Sequence, residues 1–365
     1  MKVKSHLLKL ERESFIDKTE LVALQSFSGL NCRGGSRHFG VPQTVVEFIK
    51  QYDWTSKMWQ LGDSTYEGLR QQICMYWSDC AELESEQIKI GYGSMQILER
   101  INKIFLSPAA KVLGYAPQFI EYVTEILMCG ADYKAVLLDP EKNFKFDANR
   151  LIKEISPDYC LLYIDNPNNP TGQLISIIEI EEIVKEALKK NVVVLVDEAY
   201  ADYVGKENSA VNLIGKYPNV IVTRTFTKGY QFAGIRVGYG ILPSELSDYY
   251  DKIDIPFCVP AVGSYMAREA LLDQKFIASL KEQVKSIKGT LLSGLRKKDF
   301  LVSDTHESCP IFLLGHKDQG CDLKKFLLER GILTVTGNDY MNINQNHVRV
   351  TVPARAEDFL NRLSE

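Results

Sequence analysis

Asn191-Val-Val-Val-Leu-Val-Asp-Glu-Ala-Tyr200 is a near-continuous β-branched run that stops at a carboxylate. Such a run marks a strand buried on both faces, as in a parallel sheet, because a half-exposed strand alternates apolar with polar residues. It ends in Asp197, which is expensive to bury without a cationic partner, and Tyr200 follows shortly after. Upstream, Tyr159-Cys-Leu-Leu-Tyr-Ile-Asp165 is another apolar strand, running into Asn166-Pro-Asn-Asn-Pro-Thr-Gly172. The prolines and glycine make this loop ordered and non-regular, and its asparagines offer fixed amides to a ligand. Between the two strands, Ser176-Ile-Ile-Glu179 is a capping-box pattern. It opens a helix whose apolar face is Ile180, Ile183, Val184, Ala187 and Leu188.

Downstream, Val220-Ile-Val-Thr-Arg-Thr-Phe-Thr-Lys-Gly-Tyr-Gln-Phe-Ala-Gly-Ile-Arg-Val-Gly238 reads as a buried strand leading into a functional turn at Lys228. A lysine there is, by itself, as readily a solvated loop residue. Thr225, Thr227 and Arg236 add the hydroxyls and guanidinium of an oxyanion site. A lysine beside an anion site points to imine chemistry on a phosphorylated carbonyl compound. Toward the N-terminus, Ile88-Lys-Ile-Gly-Tyr-Gly-Ser-Met-Gln-Ile-Leu-Glu-Arg-Ile-Asn-Lys-Ile-Phe105 predicts a short strand, a glycine turn and a helix capped by Ser94, with Leu98, Ile101 and Phe105 on one face. That turn exposes N–H groups that suit a phosphate. Lys111-Val-Leu, a helix from Pro117 through Met128, and Ala135-Val-Leu-Leu138 continue the alternation. Phe119, expected just inside the helix, either stacks on a planar ring or simply packs in the core. The alternation from residue 88 to about 240 specifies a largely parallel α/β sheet, in which ligands bind beyond the carboxyl ends of the strands. Asn169, Asp197 and Lys228 all lie just past strand ends, where one ligand can touch all three.

The flanks differ in texture. Pro42 predicts a helix through Tyr52, and Leu69, Ile73 and Tyr76 give helical spacing between Ser64 and Tyr76. Arg33, Arg37 and His38 sit in a turn-rich segment that reads equally as the lining of an anionic pocket and as a surface loop. After Pro256-Phe-Cys-Val-Pro260 come a helix through Leu271 and a long amphipathic one with Leu280, Val284, Ile287, Leu291 and Leu295. Cys309-Pro-Ile-Phe-Leu-Leu314, Gly331-Ile-Leu-Thr-Val335 and His347-Val-Arg-Val-Thr-Val352 add strands between shorter helices. Two units are expected: a large α/β domain over 55–258, and an N-terminal arm plus small α+β domain over 1–54 and 259–365.

With 365 residues, 45% hydrophobic and 25% charged, the chain has the composition of a soluble globular protein. A net charge of -4 and a pI near 5.9 leave no electrostatic footprint for nucleic acid. No apolar stretch reaches membrane-spanning length and no signal-peptide core follows the N-terminus, so a cytoplasmic protein is expected. The eight cysteines are scattered without metal-binding spacing and are expected to be reduced thiols, with no metal bound.

A lysine for an imine, a carboxylate for a protonated ring nitrogen, a phenol and an amide for a ring oxygen, and hydroxyls with arginine for a phosphate are together the requirements of pyridoxal 5'-phosphate. At these residues the chain resembles the fold-type I aminotransferases, most closely the histidinol-phosphate aminotransferase-like group. The motifs are Asn166-Pro-Asn-Asn-Pro-Thr-Gly172, Asp197-Glu-Ala-Tyr200, Thr225-Phe-Thr-Lys228 and Gly234-Ile-Arg-Val-Gly238. The resemblance implies that Lys228 forms the imine and moves the proton, that Asp197 pairs with the ring nitrogen, and that Tyr200 and Asn169 bond the ring hydroxyl. It implies that Phe119 stacks on the ring, that Ser94, Met95, Thr225, Thr227 and Arg236 hold the phosphate, and that Arg349 grips the substrate α-carboxylate. It further implies a homodimer moving an amino group between an L-amino acid and a 2-oxo acid. Decarboxylation, elimination or oxidation on the same cofactor stays open as an alternative outcome. Histidinol-phosphate aminotransferases usually carry Tyr-Pro-Asp where this chain has Leu61-Gly-Asp63, and an arginine where it has Val335-Thr336-Gly337. Arg33, Arg37 and His38 lie in a third departing segment, so the resemblance leaves the substrate open.

Overall fold

The computed structural model describes residues 3–8, 10–12, 14, 27–34, 39–57 and 61–364. In chain order its strands are β1 (Leu30–Asn31), β2 (Ile88–Gly91), β3 (Lys111–Ala116), β4 (Asp132–Leu137), β5 (Tyr159–Asp165), β6 (Val193–Asp197), β7 (Val220–Thr225) and β8 (Gly238–Ile241). They continue with β9 (Phe300–Val302), β10 (Ile311–His316), β11 (Ile332–Leu333), β12 (Val335–Thr336) and β13 (His347–Thr351). A seven-stranded sheet has the order β2-β8-β7-β6-β5-β3-β4. All its pairings are parallel except the two made by β8, which runs antiparallel to both β2 and β7. No crossover helix separates β7 from β8, so the chain returns alongside β7 in the opposite direction.

This is an α/β fold in which the expected two-sided burial of the parallel strands is met: β6 and β7 are buried almost throughout. One face of the sheet packs Val194, Val196 and Val222 against helices carrying Ile180, Ile183 and Val184. The other packs Leu195 and Ile221 against Ile97, Leu98 and Ile101 of the helix Ser94–Phe105. A second, antiparallel sheet has the order β12-β13-β10-β9, and β1 pairs in parallel with β11 beside it. Cys32, Leu291, Phe312, Val348, Val350 and Phe359 centre a separate apolar core there. The helix Ala261–Leu272 packs with the large core through Met266, Ala267 and Ala270, and the long helix Gln274–Leu295 runs from that core into the second. Lys288, buried in that long helix, is held by Thr305 Oγ1 and the carbonyls of His306, Cys309 and Ile311 at 2.7–3.1 Å. Among the described residues no helix is long and apolar enough to cross a membrane, and all eight cysteines are free thiols.

Several local expectations need correction. The predicted helix from Pro117 begins at Ile120, and Phe119 is its N-cap in extended conformation. The Gln118 side chain accounts for this delay: it bonds Tyr115 N, the Tyr163 carbonyl and Asp165, and so holds the chain out of helical geometry. Ser94 does not cap; Gly93, at φ 87°, is the N-cap and no side chain bonds the exposed amides. The capping box Ser176/Glu179 forms with both of its bonds, but Leu188 lies near the end of that helix and is 40% exposed. In the helix Glu67–Trp77, Trp77 is buried and Tyr76 only partly so.

Candidate active site

β5, β6 and β7 end side by side, with Asp165 level with Asp197 and Asp197 level with Thr223. Beyond these ends lies a cavity of about 410 Å3. All twelve described candidates line it: Lys228, Asp197, Tyr200, Asn169 and Phe119; Ser94, Met95, Thr225, Thr227 and Arg236; and Arg33 with Arg349. The two remaining candidates, Arg37 and His38, lie outside the described residues.

One end of the cavity is built for an anion. The uncapped N-terminus of the helix Ser94–Phe105 opens onto it, so its first amides and helix dipole favour negative charge. Thr225 Oγ1 and Thr227 Oγ1 lie 2.7 Å apart, and the Arg236 guanidinium reaches Thr227 Oγ1 at 3.5 Å and the Tyr92 carbonyl at 3.4 Å. Glycine is required where the walls meet. A Cβ on Gly238 would fall 2.5 Å from Gly93 C and 2.6 Å from Ser94 N, and one on Gly93 2.8 Å from the Arg236 guanidinium.

The other end is built for a cation. Asp197 is 2% exposed and accepts a hydrogen bond from Thr223 Oγ1 at 2.9 Å. Burial pushes its carboxyl up to about 7, with Asp165 and Glu198 adding to the rise and Thr223 opposing it. A carboxylate so desolvated gains most from a protonated ring nitrogen. Lys228 follows β7, its Nζ 5.3 Å from the centre of the Tyr200 ring, and its carbonyl accepts from Tyr203 OH and Gln231 Nε2. The residue before the threonine pair, Arg224, is locked in a buried ion triad with Glu198 (2.8 Å) and Asp202 (2.6 Å), which braces the two turns that present Lys228 and Tyr200. A group with a phosphate at one end, a basic nitrogen at the other and a carbonyl between fits these residues.

The second sheet closes the cavity. Arg349 of β13 donates to Asn169 Oδ1 at 3.2 Å and to the Arg33 carbonyl at 2.6 Å, and Tyr340 OH also donates to Asn169 Oδ1 at 3.3 Å. Sequence reasoning missed Tyr340, which carries no local signal. It also missed Asp165, although that residue ends a buried strand just as Asp197 does. Arg12 lines the cavity too, paired with Glu125 at 2.5 Å, and nothing in its sequence surroundings marks it.

The fold and this two-ended cavity define a pyridoxal-phosphate-dependent enzyme of the aminotransferase type. The chain belongs to the aminotransferase class I and II family, whose model matches residues 27–365. It is 32% identical over 304 residues to a histidinol-phosphate aminotransferase of Pelagibacter ubique, covering 81% of each chain. Its fold matches the aspartate aminotransferase of Thermus thermophilus with maleate (TM-score 0.85, 18% identity, 100% of this chain and 99% of that one). It also matches the Sinorhizobium meliloti histidinol-phosphate aminotransferase in complex with pyridoxal-5'-phosphate (TM-score 0.82, 20% identity, 100% of this chain and 96% of that one).

Proposed function

We propose that this aminotransferase moves an amino group from an L-amino acid to a 2-oxo acid with Lys228 as its reactive amine. The observation that carries the reading is the placement of Lys228 between the anion cradle of Ser94, Thr225, Thr227 and Arg236 and the desolvated Asp197, on one cavity that Arg349 also faces. Pyridoxal phosphate supplies a carbonyl that binds amines and a ring that takes up the electron pair left by the substrate Cα–H bond. Lys228 Nζ would take that proton from Cα and deliver it to the cofactor's carbonyl carbon. Asp197 keeps a proton on the ring nitrogen. Tyr200 OH donates to the ring oxygen together with Asn169 Nδ2, the Asn169 Oδ1 already accepting from Arg349 and Tyr340. Phe119 covers the ring face. Arg349 grips the substrate carboxylate bidentately, and Arg33, Arg37 and His38 are the basic groups expected around the rest of the substrate. In this reading the unit expected at 55–258 carries every cofactor contact, and the other, 1–54 with 259–365, brings the carboxylate grip.

Purified protein given pyridoxal phosphate is expected to develop a visible absorbance band that Lys228→Ala abolishes, and to transfer amino groups from members of an amino-acid panel to 2-oxoglutarate. Histidinol phosphate belongs in the panel because relatives carry its name. Protein that takes up no cofactor, or a Lys228→Ala variant that keeps the band, overturns the assignment. We further propose a homodimer: the apolar side chains Trp54, Leu61 and Phe257 are exposed around one groove, Leu61 at 75%. Sedimentation at the monomer mass overturns that.

A further inference from the structure

We infer that Asp165 is a positioning residue for the cofactor ring, one carboxylate that fixes the residue over the ring face, Phe119, against the residue at its hydroxyl edge, Asn169. The inference rests on the reading that the cavity takes pyridoxal phosphate. Asp165 ends β5, is 3% exposed and lines the cavity. Its Oδ2 accepts from the backbone N–H of Phe119 at 3.2 Å and of Asn169 at 2.9 Å. Its Oδ1 accepts from Tyr115 OH at 2.9 Å, Gln118 Nε2 at 3.0 Å and Asn168 Nδ2 at 3.0 Å. The two amides on Oδ2 come from different loops, one after β3 and one after β5, which a bond from Asn168 Nδ2 to the Pro117 carbonyl at 3.0 Å also ties together. The shared oxygen adds the tie that acts directly on the backbones of Phe119 and Asn169.

Only a carboxylate fits this role. Its two oxygens are pure acceptors, whereas an asparagine amide would turn an NH2 group toward N–H or O–H donors on one side or the other. The charge is costly, since burial pushes the Asp165 carboxyl up and the hydrogen bonds from Asn169, Asn168, Gln118 and Tyr115 only partly offset the rise. All five donors are uncharged, so no ion pair within this cluster repays the burial. Asp165 also stands level with Asp197 on the neighbouring strand. A second negative charge on that side of the cavity favours the protonated ring nitrogen, so a charge that is costly to bury assists the seated ring.

The test compares Asp165→Asn with Tyr115→Phe, which removes a single donor to Oδ1 and keeps the aromatic packing against Phe146. In Asp165→Asn, affinity for pyridoxal phosphate is expected to fall about tenfold or more, the worth of one well-made hydrogen bond. The visible circular dichroism of the bound cofactor, which reads the setting of the ring, is expected to change with it. Tyr115→Phe is expected to shift both in the same direction by roughly threefold in affinity. Variants that melt lower but bind cofactor with wild-type affinity and dichroism overturn the inference and leave Asp165 a structural residue. Where Asp165→Asn does not fold, Tyr115→Phe decides by the same criterion. Wild-type protein that binds no cofactor instead overturns the reading beneath.

Discussion

Asp197 carries a cost that the proposed reaction uses. Its carboxyl rises from an ordinary 3.8 to about 7 because it is buried. An acid whose folded pKa is raised is held protonated by folding, so the cofactor-free protein loses stability as pH rises from the unfolded value toward the folded one. The loss is complete above about pH 7, with a ceiling on the order of 4 kcal/mol. Asp197→Asn keeps an acceptor for Thr223 and cannot ionise. Denaturant unfolding of the cofactor-free proteins is expected to show the variant more stable than wild type, by a margin that grows between about pH 4 and pH 7 and then stays flat. Its transaminase rate is expected to fall by about a hundredfold or more with the loss of the charged partner of the ring nitrogen. A margin independent of pH would place the titration elsewhere. Asp197 was legible as a single residue because a carboxylate ending an apolar strand has no structural reason to be there, and Lys228 was legible only through the hydroxyls and guanidinium of Thr225, Thr227 and Arg236 around it. Asp165 satisfied the same rule, but the Pro- and Asn-rich loop after it reads as the functional part and drew the argument past the carboxylate.

At the level of elements, the anion cradle depends on a glycine pair as well as on its charged side chain. The sequence showed a glycine turn before a helix but not its partner, because Gly93 and Gly238 meet only when β8 lies between β2 and β7. Gly238→Ala is expected to push the β2 turn off the helix start. Affinity for pyridoxal phosphate should then fall about tenfold or more, toward that for unphosphorylated pyridoxal, which the change should leave nearly alone. Equal losses for both ligands would mean general distortion. Elements with a strong local code were legible in detail, as in the helix Ile177–Lys189 with its two-way capping box. The helix Ile120–Met128 was misplaced at its start because a tertiary bond, Gln118 to Asp165, overrides the local preference for proline in a first turn.

Across the whole molecule, Arg349 joins the two sheets, since it sits in β13 yet bonds Asn169 beyond β5 and the carbonyl of Arg33 beside β1. Arg349→Gln is expected to leave cofactor uptake intact and to lower kcat/KM for the amino acid by roughly thirtyfold or more, mostly through KM, as the loss of a charge-assisted bidentate grip. A change confined to kcat would assign the carboxylate to another residue. Sequence periodicity predicted most of the larger helices of the second half but not which core each joins, because an apolar stripe does not name its partner: Ala261–Leu272 faces the large core, and Leu291 and Leu295 face the small one. The proposed substrate side was least legible, for Arg33, Arg37 and His38 stand in a turn-rich stretch of sequence with no periodicity to read.

The antiparallel insertion of β8 has a consequence for how the chain is made. Among the described residues β2 has no hydrogen-bonded strand neighbour in the sheet except β8, and the whole parallel array is synthesised between them. During synthesis the helix Ser94–Phe105 can form early from local contacts, but its amides meet no cradle until β8 has emerged and slotted between β2 and β7. Contacts so distant along the chain form late in folding. A nascent or half-folded chain is therefore expected to lack the proposed phosphate site, and cofactor capture is expected only once the large sheet has closed.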